Sequence, residues 1–177
     1  ALGATPADTD EFLVSDAGTL KRMDYSYIKS TNTPAFLAKV GTTTALSDAA
    51  TTLAPMDTEV FDTDNAYNNT ASNYKFTPQT AGKYFVYAQA RLSDGDQTSL
   101  NYCQASIYKN GSEHFLAYYD FRDNPLMGME VSVNGVIDMN GSSDYIDFRV
   151  MMSGNNDGDE VITSGNPSRF GAYKIIE

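Results

Sequence analysis

The sequence predicts an all-β fold, an antiparallel sandwich of jelly-roll type, and three observations carry that expectation. Strand and turn signals recur about every ten residues, the spacing of a sandwich or barrel. Asn-Gly pairs, which tolerate positive φ, punctuate the chain at Asn110-Gly111, Asn134-Gly135 and Asn140-Gly141. Helical signal is nearly absent. Its best stretch, Ala45 to Leu53, has several Thr residues and no apolar stripe.

Taken in order, Ala1 to Asp10 is small and polar and predicts an extended lead. Phe12-Leu13-Val14 and Thr19-Leu20-Lys21-Arg22-Met23 flank Ser15-Asp16-Ala17-Gly18, which predicts a small hairpin. A lone two-stranded hairpin is marginal in water, so it must pack on something. Tyr25 to Ile28 leads to a linker ending at Pro34. The domain expectation is therefore a β-hairpin stalk or docking segment over 1-33 and a β head over 34-177. Within the head, strands are expected at Ala35 to Val40, Thr58 to Asp62 and Tyr74 to Phe76, with Asn65 to Asn73 a polar loop.

The next strand, Gly82 to Leu92, is rich in aromatic and β-branched residues. Alternation places Tyr84, Val86, Ala88, Ala90 and Leu92 on one face and Phe85 and Tyr87 on the other. A sandwich strand normally shows water its second face, so these two aromatics need a cover, either a loop or another copy of the chain. Ser93 to Asp96 is expected to turn. Tyr102 to Lys109 and Glu113 to Tyr119 form a hairpin about Asn110-Gly111. Glu130 to Val133 and Val136 to Met139 are expected as two strands turned at Asn134-Gly135. Asp144 to Met151 and Arg169 to Ile176 complete roughly eight to ten strands, which suits a jelly roll.

Composition narrows function. Twelve Lys and Arg stand against 23 Asp and Glu, a net charge of −11, so phosphate backbones and anionic lipid are repelled. Nucleic-acid partners and membrane insertion are set aside, as no apolar run is long enough to span a bilayer. No secretion signal is visible, and the initial Ala fits a fragment or a processed product. Cys103 is the only cysteine, which excludes an intrachain disulfide and a thiolate cluster and predicts a small buried hydrophobe. His114 is the only histidine; there is no Gly-x-Ser-x-Gly elbow, Walker loop or dinucleotide fingerprint. No catalytic residue and no cofactor are expected. Sequons occur at Asn68, Asn110 and Asn140, the last two explained by turn chemistry.

Two loops are dense in oxygen donors. Asp94 and Asp96 in one, and Asp157 and Asp159 in the other, offer the ligand type Ca²⁺ prefers, although neither fits the EF-hand template. Twelve tyrosines are present, and Tyr118, Tyr119 and Arg122 form an aromatic-polar cluster suited to binding a receptor.

The order of these signals resembles the globular head of the C1q and tumour-necrosis-factor superfamily. The matching pieces are Phe36, Val60-Phe61-Asp62, Asn65, Tyr67, Tyr74-Lys75-Phe76-Thr77-Pro78, Gly82-Lys83-Tyr84-Phe85-Val86-Tyr87, Tyr108-Lys109-Asn110-Gly111, Asp144-Tyr145-Ile146 and Ser168-Arg169-Phe170-Gly171-Ala172-Tyr173. They cover 34-177 in the right order. The resemblance implies a C1q/TNF-like jelly roll that assembles as a homotrimer, with Phe85 and Tyr87 at the trimer interface. No collagen-like Gly-x-y stalk precedes the head. Asp8 to Asp24 instead resembles a short β-element found before the heads of bacteriophage fibre and virion-surface proteins. That likeness implies a non-enzymatic virion protein, a fibre or spike head attaching to a host surface glycan or protein. Residues 1-33 would then meet other virion proteins. A secreted cellular glycan- or protein-binding module, and a phage depolymerase acting on host polysaccharide, are the alternatives.

Overall fold

The computed structural model describes residues 4-28, 32-95, 98-155 and 158-175. Two compact units divide near Thr31 and Asn32. In the first, β1 (Glu11–Asp16) and β2 (Thr19–Asp24) form an antiparallel hairpin, followed by a 3₁₀ turn at Tyr25–Tyr27. Ala17 and Gly18, at φ 48° and 84°, make a turn that needs two positive-φ residues. Phe12 packs on Tyr25 at 6.0 Å, and Arg22 pairs with Glu11 at 2.7 Å. Leu13 and Leu20 remain about three-quarters exposed.

The head is a sandwich of two antiparallel sheets. Its strands are β3 (Ala35–Val40), β4 (Thr44–Ala45), β5 (Thr52–Leu53), β6 (Thr58–Asp62), β7 (Tyr67–Asn68), β8 (Lys75–Phe76), β9 (Gly82–Asp94), β10 (Tyr102–Lys109), β11 (Ser112–Asp120), β12 (Gly128–Met139), β13 (Ile146–Ser153), β14 (Glu160–Ile162) and β15 (Gly165–Lys174). One sheet runs β11-β10-β13-β8-β7, with β5 also on β13. The other runs β4-β14-β9-β15-β3-β6, with β12 on the second edge of β9. Five strands are only two or three residues long, which leaves eight longer ones. Of the short ones, β8 falls where a strand was expected, at Tyr74 to Phe76, whereas β7 lies in the segment expected as a polar loop, Asn65 to Asn73.

Alternation builds the core. Tyr84, Val86, Ala88, Ala90 and Leu92 of β9 point inward at 2% exposure or less, facing Cys103, Ala105 and Ile107 of β10 and Phe148, Val150 and Met152 of β13. Phe36 anchors an aromatic cluster: its ring stacks on Tyr67 at 4.6 Å and Phe76 at 4.5 Å, and meets Phe170 edge-on at 5.0 Å. The Tyr67 hydroxyl donates to the Met56 carbonyl at 2.8 Å, so even this polar tip is satisfied.

Two sequence expectations are corrected. Asn134-Gly135 is not a turn: β12 runs unbroken through it, pairing with β9 from Gly128↔Ser93 to Met139↔Gly82. Gly135 lies opposite Val86, and the Phe115 ring of β11 occupies the space a Cβ there would fill. The glycine serves close packing between the sheets. The turn expected from Ser93 also starts later, because β9 continues to Asp94, where Glu160 of β14 pairs with it. Ile176, expected within the last strand, lies outside the described residues.

Register sorts the loops between two poles. Ala35 pairs with Tyr173, and the Lys174 N–H donates to the Pro34 carbonyl at 3.1 Å, so the head begins and ends at one pole. The loops after Val40, Asp94, Asp120 and Ser153 all emerge at the other.

Candidate functional site

The outward face of the β9 sheet is the first candidate. Cross-strand pairing aligns Phe85 with Val136 and Tyr173, and Tyr87 with Gly171, which pairs in turn with Leu37; Leu37 pairs with Phe61. Phe85 stacks on Tyr87 at 6.2 Å and tilts against Tyr173 at 5.6 Å. Val136 is 48% exposed, Phe61 46% and Tyr173 36%, while Phe85, Tyr87 and Leu37 are half-buried. Burial pushes the Tyr87 hydroxyl pKa up, partly countered by the nearby Arg169 guanidinium. The sequence singled out Phe85 and Tyr87. It missed Leu37, Phe61, Val136 and Tyr173, although the two-sided apolar pattern of Ala35 to Val40 carries part of that signal.

Toward the loop pole this face turns polar and basic. Lys39, Arg169, Gln89 and Arg91 follow on neighbouring strands, with Arg169 donating to Gln89 at 3.2 Å and Gln89 to Glu130 at 3.0 Å. The outward face of the β10 sheet differs: Asp147 is 1% exposed and accepts from Arg149 at 2.8 Å, and that guanidinium lies 4.2 Å from the centre of the Tyr108 ring.

Tyr118, Tyr119 and Arg122 do not form one surface. Tyr118 pairs with Gln104 and faces outward against Tyr102 at 5.8 Å. Tyr119 pairs with buried Cys103, so it points to the opposite face, where it stacks on Phe121 at 6.4 Å. Arg122 folds back onto Asp120, with its backbone N–H 3.1 Å and its Nε 3.0 Å from Oδ1. The Arg122 side-chain and backbone hydrogen bonds hold the Asp120 carboxyl at about 2. Asp120, Phe121, Arg122, Asp123, Asn124 and Leu126 line an open cleft of about 650 Å³ at the loop pole. An acid so depressed is a poor proton donor at neutral pH. Cys103 is no better as a nucleophile, since burial pushes its thiol up to about 12. His114 is exposed against Phe115 at 4.7 Å.

Asp94 and Asp159 do come together, and Glu160 joins them: one carboxylate oxygen from each lies within 4.8 Å of the others. Asp96 and Asp157 lie outside the described residues. Glu160 closes the donor-dense stretch Asn155 to Glu160 but was not singled out as a ligand, and the β9–β14 register is what brings it opposite Asp94.

No protein-family model and no curated protein matches the sequence. Solved structures do. The globular domain of zebrafish complement 1qA superposes with a TM-score of 0.56 at 13% identity, over 81% of this chain and 98% of that one. Murine APRIL gives 0.52 at 13% identity, over 80% of this chain and 99% of that one. At such identity the likeness establishes the fold alone: an all-β, antiparallel C1q/TNF-like jelly roll.

Proposed function

We propose that this chain is a non-enzymatic, trimer-forming binding module, in which the outward face of the β9 sheet is where copies meet. The observation that carries the reading is the contiguous apolar group of Phe85, Tyr87, Val136, Tyr173, Leu37 and Phe61 on a sheet face that would otherwise meet water. Each large side chain fully buried contributes roughly 1.5–3 kcal/mol, and three-fold repetition multiplies it.

We further read the module as the head of a virion fibre or spike, displayed on the particle surface and attaching to a host glycan or protein through the loop pole. The head begins at the pole opposite those loops, which suits a stalk-borne module. The exposed apolar side chains of the β1–β2 hairpin suit docking on other virion proteins. Weak contacts at each copy would be reinforced by avidity.

Light scattering tests the assembly. The expected mass is three times the 19.3 kDa chain, and Phe85→Asp is expected to give monomer or insoluble protein. A wild-type monomer at micromolar concentration, or a soluble Phe85→Asp trimer, rejects the interface. Attachment is tested by competition, in which purified head should block adsorption of the parent particle to its host cells.

A further inference from the structure

We propose that Asp94, Asp159 and Glu160 form a site for a hard divalent cation, Ca²⁺ by preference, at the loop pole of the head. Asp94 and Glu160 are directly opposed across the β9–β14 ladder and are 0% and 1% exposed. Like charges so placed repel, and burial removes the water that would screen them. The Asp94 carboxylate is only half satisfied by protein: Oδ2 accepts from Ser99 Oγ, whereas buried Oδ1 has no hydrogen-bond partner. That oxygen belongs to a residue whose carboxylate converges with those of Asp159 and Glu160 within 4.8 Å. Oxygens sharing one Ca²⁺ at roughly 2.4 Å stand no more than about 4.8 Å apart.

The surroundings are shaped for that convergence. A Cβ at Gly154 would collide with the Asp94 carboxylate, and one at Gly95 with that of Asp159. Backbone ties fix the loops: Asn101 N–H donates to the Ser153 carbonyl at 2.7 Å, Gly154 N–H to Asp48 Oδ1 at 2.9 Å, and Leu46 N–H to the Glu160 carbonyl at 2.8 Å. An all-carboxylate donor set without imidazole or thiolate favours a hard ion over zinc or copper. The same loops are tied to the segment between β11 and β12 that lines the cleft, because Asp94 N–H donates to the Met127 carbonyl at 2.9 Å and Leu100 N–H to the Leu126 carbonyl at 2.8 Å. A bound ion would therefore brace the pole that carries the cleft.

The test is melting temperature of the full chain, stripped with chelator and then titrated with CaCl₂ or MgCl₂, alongside metal analysis after dialysis. Ca²⁺ is expected to raise the melting temperature by about 5–10 °C at one hundred times its Kd, and Mg²⁺ by less. Asp94→Asn and Glu160→Gln should abolish the Ca²⁺ shift. If either variant does not fold, stoichiometric Ca²⁺ retained by dialysed wild type still supports the site. No shift and no retained Ca²⁺ in wild type overturns it, as does a shift that survives Asp94→Asn.

Discussion

The Tyr87 ring lies across Gly171 so closely that a Cβ on the glycine would stand 2.5 Å from the tyrosine hydroxyl and 2.9 Å from the Phe36 carbonyl. Side chains on the face proposed for assembly are thus seated in the sheet before any partner arrives. Gly171→Ala must displace the ring or the backbone. An overpacking cost of about 1–3 kcal/mol is expected by denaturant titration. The same variant should show a weaker trimer in dilution series by light scattering. Unchanged association would place the contact elsewhere.

Phe170 and Phe85 make a contrasting pair on neighbouring strands. Phe170 is 0% exposed and touches Phe36 and Phe148 at 5.0 and 6.0 Å. Phe170→Ala should cost about 3–5 kcal/mol in chain stability. Phe85→Ala, on the outer face, should instead shift assembly with little change in the fold, as read by circular dichroism and solution mass.

Asp147 relies on Arg149. With the carboxylate 1% exposed and the guanidinium side chain 31% exposed, Arg149→Ala leaves a buried charge without its cation. The expected loss is about 3 kcal/mol, the lower end for a broken buried pair because Arg149 keeps some solvent. Asp147→Asn combined with Arg149→Ala should recover part of it. Additive losses in that cycle would contradict the coupling.

Acid should loosen both poles. Asp120 drops from an ordinary 3.8 to about 2 through Arg122, and Asp144 is lowered by hydrogen bonds from Asn110 and Lys109. A depressed carboxylate stabilises the fold above its unfolded pKa, and that contribution disappears as pH falls through the folded value. Unfolding monitored between pH 3.8 and 2 should therefore show a steeper decline in wild type than in Asp120→Asn or Asp144→Asn. Parallel curves would deny these carboxyls a role.

Local sequence signals were enough for the hairpin at Ala17-Gly18, the alternation of β9 and the burial of Cys103, because each depends on period or on turn chemistry. Asn134-Gly135 misled for a definite reason. The dipeptide that closes a hairpin also suits a mid-strand site where a ring from another strand needs room, and only Phe115 distinguishes the two. Tyr118 and Tyr119 are adjacent in sequence, yet strand alternation sends them to opposite faces. The acidic loops could each be seen as donor-rich. Their meeting, and the part of Glu160, depended on the pairing of β14 with β9, a contact between segments far apart along the chain.

The placement of β3 has a mechanical consequence. Its first residue lies at one pole, and the strand is hydrogen-bonded on both sides, to β15 and to β6. A pull between the two poles of the head acts along the strand axis. The ladders are then loaded in shear, with many hydrogen bonds resisting together rather than opening one after another like a zipper. Tension along β3 would therefore be resisted far better than tension across it, which would part the ladders one bond at a time.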